Sequence, residues 1–398
     1  MIIRHFTDND LYKFTTMHAI EKLYPEAMVR YTFINRGDTV FPYGFADKLQ
    51  KEVNEMEILS LTKEEEAFIR KKCYYFSPPF IDFLKGYKYD PSEVKIKQEN
   101  GNLHVEIEGY WYRTVLWEVP LLAIISELFF KLKNKKPENV EENARFKAEK
   151  MKDMEAAYTD FGTRRRFSSD VHDRVVKTLK EYSGGFLRGT SNVYLAMKHD
   201  LTPIGTHPHE WFMYHGAHFG YRMANTKALD AWLDVYQGNL GIALTDTYTT
   251  RSFFENFSIM QAKLFDGVRM DSGDPAPFIE DTIKFYQSKR IDPQSKTIIF
   301  SDALNLEKVK YIKEKIKDRI KDGYGIGTYL TNDVGVKPLN IVIKMMAAKP
   351  AQSLEYIPTV KLSDADGKIT GNDEELELCK KMLNIDNPKD HKIITDLS

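Results

Sequence analysis

Cysteine is almost missing from this chain of 398 residues: Cys73 and Cys379 are the only two, far apart and outside any CxxC or Cys/His spacing. That weighs against a structural zinc site and fits a reducing compartment, so the expected location is the cytoplasm. An excess of one charge sign is missing as well. Lys and Arg number 57 against 58 Asp and Glu, a formal net charge of −1, and the signs are interspersed. Such a chain has no electrostatic footprint for nucleic acid or an anionic membrane, and neither is expected as a partner. The greasiest run, Val119 to Leu132, is broken by Glu127 and too short to span a bilayer, so it reads as a buried helix. The first ten residues lack the apolar region of a signal peptide. There is no Walker A string and no GxGxxG opening a helix after a first strand, which disfavours a P-loop NTPase or a Rossmann dehydrogenase.

What is present suffices for two ordinary cores, with 42% hydrophobic and 29% charged residues. Thr7-Asp8-Asn9-Asp10 has the composition of a helix cap before Leu11-Tyr12-Lys13-Phe14, and the helix is expected to reach Tyr24-Pro25. Val29 to Ile34 reads as a strand, and Glu55 to Tyr75 as charged helices. Residues 93–112 alternate at period two on either side of Asn100-Gly101-Asn102, the pattern of a hairpin. Lys136 to Met154 reads as an exposed connecting helix. The first part of the chain is therefore expected to be α+β.

Beyond Met154 the texture changes. Short apolar runs end in polar tips and are followed by helical patterns: Phe161-Gly162-Thr163-Arg164, Gly189-Thr190-Ser191, Gly205-Thr206, Leu244-Thr245-Asp246, Arg269-Met270-Asp271, Phe300-Ser301-Asp302 and Gly325-Ile326-Gly327-Thr328. Repeated strand, polar turn and helix is the pattern of a parallel α/β sheet or barrel, whose chemistry lies at the carboxyl ends of its strands. Each tip has two readings. Arg164-Arg165-Arg166 is either a surface charge run or a fork for phosphate or carboxylate. Asp271-Ser272-Gly273-Asp274-Pro275 is either a turn with a helix cap or a carboxylate placed for sugar hydroxyls or a cation. Gly327 and Thr328 offer backbone amides suited to a phosphate. After Lys337, Leu339 to Met346 and Thr359 to Leu362 read as further strands and Asp366-Gly367 as a turn.

Pro203-Ile204-Gly205-Thr206-His207-Pro208-His209-Glu210-Trp211 carries the densest chemistry. Apolar residues run up to Gly205-Thr206 and an amphipathic segment from Glu210 to about Tyr236 follows, so the histidines are expected where a strand ends and a helix begins. Pro208 suits the first helical position and Glu210 the first turn. Amides there would cradle a phosphate near His209. Placed so, a histidine serves as nucleophile, proton carrier, metal ligand or simple cap.

Taken in order, several long strings resemble the nicotinate phosphoribosyltransferase family. They are Asp10-Leu11-Tyr12-Lys13, the 116–123 string Leu-Trp-Glu-Val-Pro-Leu-Leu-Ala, Asp160-Phe161-Gly162-Thr163-Arg164-Arg165-Arg166-Phe167-Ser168, and Gly189-Thr190-Ser191-Asn192. The central Gly-Thr-X-X-His-Glu-Trp at 205–211, Asp271-Ser272-Gly273-Asp274-Pro275 and Val336-Lys337-Pro338-Leu339-Asn340 complete the set. The resemblance implies ATP-coupled condensation of nicotinate with phosphoribosyl pyrophosphate, giving nicotinate mononucleotide and pyrophosphate in NAD salvage. It implies an irregular parallel α/β barrel of the type II phosphoribosyltransferase kind, expected over 129–334 and carrying the active site. A mixed α+β domain is expected from both chain ends, 1–128 and 335–398. His209 matches the family's phosphorylated histidine, whereas His207 stands where members vary. ATP and Mg2+ are the implied cofactors, the ion held mainly through substrate phosphates. A homodimer with shared active sites is the implied assembly.

Within that frame His209 and Asp271 are the catalytic candidates. The pyridine ring is expected between Phe161 and the Tyr12 of another subunit, with Arg164, Arg269 and Arg166 as partners for its carboxylate. Ser191 stands where similar nicotinamide-using enzymes have an aspartate, which favours the acid over the amide. Asp246, Asp302, Gly327 and Thr328 complete the substrate-binding set. Two rivals remain from the residues alone. One is a zinc-dependent barrel hydrolase using His207, His209 and either His215 or His218. The other is a nucleotide sensor without turnover.

Overall fold

The computed structural model describes residues 1–365 and 367–385. By compactness the chain falls into two units, Met1–Gly205 with Ile326–Lys344 and Thr206–Gly325 with Met345–Ser398. These cuts follow packing and stand apart from the boundaries at 128/129 and 334/335, which rest on the family resemblance.

The first unit opens with the helix Leu11–Leu23, behind an extended Asp10 whose side chain makes no cap hydrogen bond. Strand β1 (Met28–Asn35) pairs antiparallel with β3 (Asn102–Tyr110), which forms a hairpin with β2 (Val94–Glu99). Asn100 and Gly101 make the turn with φ of 49° and 81°, the left-handed pair that the twist of a tight hairpin requires. The helix Glu118–Leu132 is buried on nearly all sides, as its apolar run demands. Its interrupting Glu127 accepts from the Ser169 backbone amide. The helix Val140–Asp153 is not merely an exposed connector. Val140, Ala144, Lys147, Ala148 and Met151 turn inward at helical spacing, and buried Lys147 donates to Asp333 at 2.6 Å. Strands β4 (Tyr158–Asp160) and β5 (Leu187–Thr190) then run parallel, and both end in the expected polar tips.

In the second unit β6 (Ile242–Leu244), β7 (Gly267–Met270), β8 (Thr297–Phe300) and β9 (Lys321–Ile326) pair in sequence, all parallel. Helices Thr250–Asn256, Pro275–Ser288 and Leu306–Ile316 follow the strands in turn. Gly267 is required at its position: a Cβ there would lie 1.9 Å from the Thr297 carbonyl oxygen of the adjacent strand.

Two local expectations fail around the central motif. Residues 203–206 form no strand, only a single bridge from Pro203 to Thr190, because a proline cannot donate to a ladder and a glycine adds no packing. The segment 210–236 is two helices, His209–Phe219 and Tyr221–Tyr236, separated by Gly220 at φ 79°. In the tail, β10 (Ile341–Lys349) is present and pairs with the short β11 (Ile357–Pro358). The strand expected at 359–362 reduces to one bridge from Lys361 to Thr370. Asp366, the first residue of the expected turn, lies outside the described residues.

Candidate active site

His209 is the first residue of its helix, one position later than expected, and Pro208 is the N-cap. Proline has no side-chain acceptor, so no side chain caps this end, and the positive end of the helix dipole faces whatever binds there. The imidazole is 12% exposed and has partners at both ring nitrogens. Nδ1 lies 3.0 Å from Thr247 Oγ1, just past the tip of β6. Nε2 lies 3.1 Å from Asp271 Oδ2 at the tip of β7, 3.6 Å from Asp246 Oδ1 and 2.9 Å from Lys361 Nζ. Burial and then the Lys361 ammonium push the imidazole down to about 4, against the pull of Asp246 and Asp271. His209 is thus a neutral base at physiological pH, the state a nitrogen nucleophile needs.

Both carboxylates stay ionised although burial opposes it. For Asp271, burial is outweighed by Arg269, His209 and Lys368, which hold it well below the usual carboxylate range. Arg269 Nη2 donates to Asp271 Oδ1 at 2.9 Å, and Arg269 Nε reaches Ser301 Oγ at 2.7 Å. As the period of a strand requires, Arg269 and Asp271 share one side. Burial likewise raises Asp246, and Lys361 and His209 overcome it. Asp246 accepts from Ser272 Oγ and sits 3.3 Å from Lys361 Nζ. Asp302 joins the group through Lys368, which bonds both its carboxylate and the Asp271 carbonyl.

Among the described residues, His209, Asp246 and Asp271 form the one group of three acidic or imidazole side chains close enough to hold a cation. Lys361 already supplies a positive charge within 3.3 Å of two of them, so the residues do not fit a resident divalent ion. The zinc-hydrolase grouping is not formed. His207 is fully buried against Trp232, Phe212 and Phe265 with neither ring nitrogen hydrogen-bonded, and His215 bonds the Trp211 carbonyl.

A second cluster lies in the first unit. Glu118 gathers Lys13 at 2.5 Å, Tyr12 OH at 3.3 Å and Arg164 Nη1 at 3.4 Å. Phe161 and Gly162 follow β4, and Asp160 fixes that turn by accepting from the Gly162 amide, Thr190 and His172. Gly327 packs on the Phe161 carbonyl, where a Cβ would lie 3.2 Å away, and Thr328 begins the short helix after it. Ser191 Oγ donates to Asp10 Oδ1 at 2.7 Å, so a carboxylate lies beside the residue expected to favour the acid over the amide. Burial raises Asp10 above its ordinary value despite this bond. Arg166 is turned inward: Nη1 and Nη2 each donate to Asp8 at 2.7 Å, and both side chains are buried.

Sequence reasoning did not single out Thr247, Ser301, Lys361, Lys368, Glu118, Asp8 or Asp10. Thr247 sits beside a chosen strand tip and Ser301 within one, and Asp8, Asp10 and Glu118 lie in or next to the recognised strings. Nothing local marks Lys361 or Lys368, which arrive from a tail without motif.

Anionic side chains, a neutral imidazole and fixed cations at the carboxyl ends of parallel strands define a phosphate-handling α/β enzyme. Residues 156–387 match the model of the nicotinate phosphoribosyltransferase family, and residues 7–126 match that family's N-terminal domain. A nicotinate phosphoribosyltransferase of Chromohalobacter salexigens is 51% identical over 94% of this chain and 97% of its own length. One from Desulforapulum autotrophicum is 49% identical over 96% and 99%. The crystal structure of the Porphyromonas gingivalis nicotinate phosphoribosyltransferase, 47% identical, superposes with a TM-score of 0.94 over 96% of this chain and all of that one. The Vibrio cholerae structure, 33% identical, gives 0.91 over 97% and 94%. The chain belongs to the nicotinate phosphoribosyltransferase family, an enzyme family with the type II phosphoribosyltransferase fold.

Proposed function

We propose that the chain transfers phosphoribosyl from phosphoribosyl pyrophosphate to nicotinate, giving nicotinate mononucleotide and pyrophosphate in NAD salvage, and couples ATP hydrolysis to it through a phosphohistidine at His209. The observation that carries the coupling is His209 itself, neutral, at an uncapped helix start, with a carboxylate at Nε2 and a hydroxyl at Nδ1. When Nε2–H donates to Asp271, the Nδ1 lone pair is the nucleophile. It attacks the γ-phosphorus of ATP, the bond to the bridging oxygen breaks and ADP leaves with that electron pair. Water later takes the phosphoryl group and restores His209.

Transfer to nicotinate builds positive charge on the ribose and negative charge on pyrophosphate. Asp271 supplies the first with a carboxylate, the amides at Gly327 and Thr328 answer the second, and Arg269 keeps its proposed role toward the nicotinate carboxylate. Asp246 and Asp302 are proposed to stand by the sugar and its phosphates. Bound Mg2+ supplies charge neutralisation along the phosphates, and it is held mainly by them because the nearby carboxylates already have protein cations. Tyr12 and Phe161 are proposed to stack on the pyridine ring in a homodimer with shared sites, with Arg164 and Ser191 selecting the carboxylate.

The test is label transfer from ATP. Wild type is expected to take up acid-labile, alkali-stable phosphate, and His209→Ala to take up none while keeping some ATP-independent product formation. Label retained by His209→Ala but lost from His207→Ala would reject the assignment.

A further inference from the structure

His209 Nε2 has two close neighbours that make opposite demands on it. Lys361 Nζ lies 2.9 Å away, and an ammonium only donates. Asp271 Oδ2 lies 3.1 Å away, and an ionised carboxylate only accepts. A neutral imidazole carries one N–H, so Nε2 satisfies Lys361 or Asp271 and never both. In the first arrangement the proton is on Nδ1 and donates to Thr247 Oγ1, 3.0 Å away. In the second, Nδ1 keeps its lone pair.

We propose that Lys361 masks His209 by holding its proton on Nδ1, and that an incoming nucleotide phosphate draws the ammonium away, handing Nε2 to Asp271 and baring the Nδ1 lone pair. This rests on the phosphohistidine reading and adds a positioning residue to it. The proton returns to Nε2 by exchange with water, so nothing is oxidised or consumed.

The surroundings are built for two positions of the lysine. Its side chain is 3% exposed, and its charge is shared between Nε2 and Asp246 Oδ2. Asp246 Oδ1 is buried without a hydrogen-bond partner, 3.6 Å from the same Nε2. The second acceptor, Asp271, is independently held by Arg269 and Ser301 through its other oxygen, so Oδ2 stays directed at the ring when the lysine leaves. The chain that delivers Lys361 is pinned across the strand tips. The Leu362 amide donates to the Thr247 carbonyl at 2.8 Å, Ser363 Oγ donates to Ser272 Oγ at 3.0 Å, and Asp364 accepts from the Thr250 amide and hydroxyl. Only the four-carbon stem of the lysine needs to move.

The experiment is imidazole nitrogen NMR on the full chain carrying 15N-histidine, with the His209 signals assigned by their loss in His209→Ala. Wild type alone is expected to carry the proton on Nδ1, and addition of Mg2+ with a non-hydrolysable ATP analogue to move it to Nε2. Lys361→Met is expected to show the Nε2 proton without nucleotide, the nucleophilic tautomer, and yet at least tenfold slower labelling by ATP, because the incoming phosphate has lost the ammonium it draws. Lys361→Arg is expected to keep the Nδ1 proton and recover part of the labelling. A wild-type spectrum with the proton on Nε2, or one unmoved by the analogue, overturns the proposal whether or not the variants fold. Label persisting in His209→Ala would instead remove the phosphohistidine reading, which the tautomer measurement does not touch.

Discussion

His207 and His209 are two residues apart and live in different chemistry. His209 faces carboxylates and a hydroxyl, while His207 is boxed by aromatic rings with both nitrogens unsatisfied. Burial, then the charge of Arg269, pushes His207 down to about 3. His215, buried likewise, is also pushed to about 3, and His18 to about 4. These folded values lie below the unfolded value of 6.5. Above pH 6.5 both states are neutral and stability is unaffected; as pH falls toward 3, the unfolded chain binds protons that the folded chain refuses, and stability is lost. Each such histidine steepens the loss by about 1.4 kcal/mol per pH unit. His207→Phe removes one of them along with two unsatisfied buried nitrogens. We expect the variant to be at least as stable as wild type at pH 7 in urea unfolding, and its stability to fall with one proton less of pH dependence between pH 6 and 4. An unchanged slope would mean that the pocket around His207 admits the charged ring.

At the scale of elements, the polar tips were legible because a parallel strand writes itself as a short apolar run with a small or charged stop, and six of the seven proposed tips do follow strands. The seventh, at 203–206, carried the same texture, but Pro203 and Gly205 cannot sustain a ladder. What periodicity could not supply was pairing across long separations. Arg166 read equally as surface charge or anion fork, and only the fold shows its guanidinium closed on Asp8, 158 residues away. Lys361 lies 152 residues from His209 in a segment that reads as a plain strand. Ser191 at the tip of β5 is a proposed specificity position that rests on the family resemblance, and its bond to Asp10 was not legible in the sequence. That bond sharpens the test. An aspartate at 191 would set a second carboxylate beside Asp10, so the site would gain acceptors and repel an anionic substrate. Ser191→Asp is expected to shift the ratio of nicotinate to nicotinamide use toward the amide, on the order of tenfold to a hundredfold, the equivalent of a charged hydrogen bond left unmatched. The readout is kcat/KM for both substrates, and an unchanged ratio would remove Ser191 from the specificity assignment.

At the scale of the whole molecule the open matter is assembly. The residues proposed for the base, Tyr12 and Phe161, follow Asp10 and Asp160, two buried carboxylates, of which Asp160 fixes its own turn and Asp10 accepts from Ser191. Stacking a flat heterocycle between two such held rings is worth about 1 kcal/mol beyond the area buried. If the tyrosine of each pair comes from the other subunit, the two-fold axis makes every active site a joint product of two chains. A chain carrying Tyr12→Ala then damages its partner's site, and a chain carrying Asp271→Ala damages its own. Mixed and reassembled, the two inactive proteins form heterodimers in which one site has lost both groups and the other has lost neither. With random pairing half the dimers are mixed and half their sites are whole, so about a quarter of wild-type activity should return for a closed two-fold dimer. The measurement is nicotinate mononucleotide formation after co-refolding, with each homodimer variant as control. Recovery no greater than the sum of those controls, or a fully active monomer by sedimentation, would place Tyr12 and Phe161 in a site made by one chain.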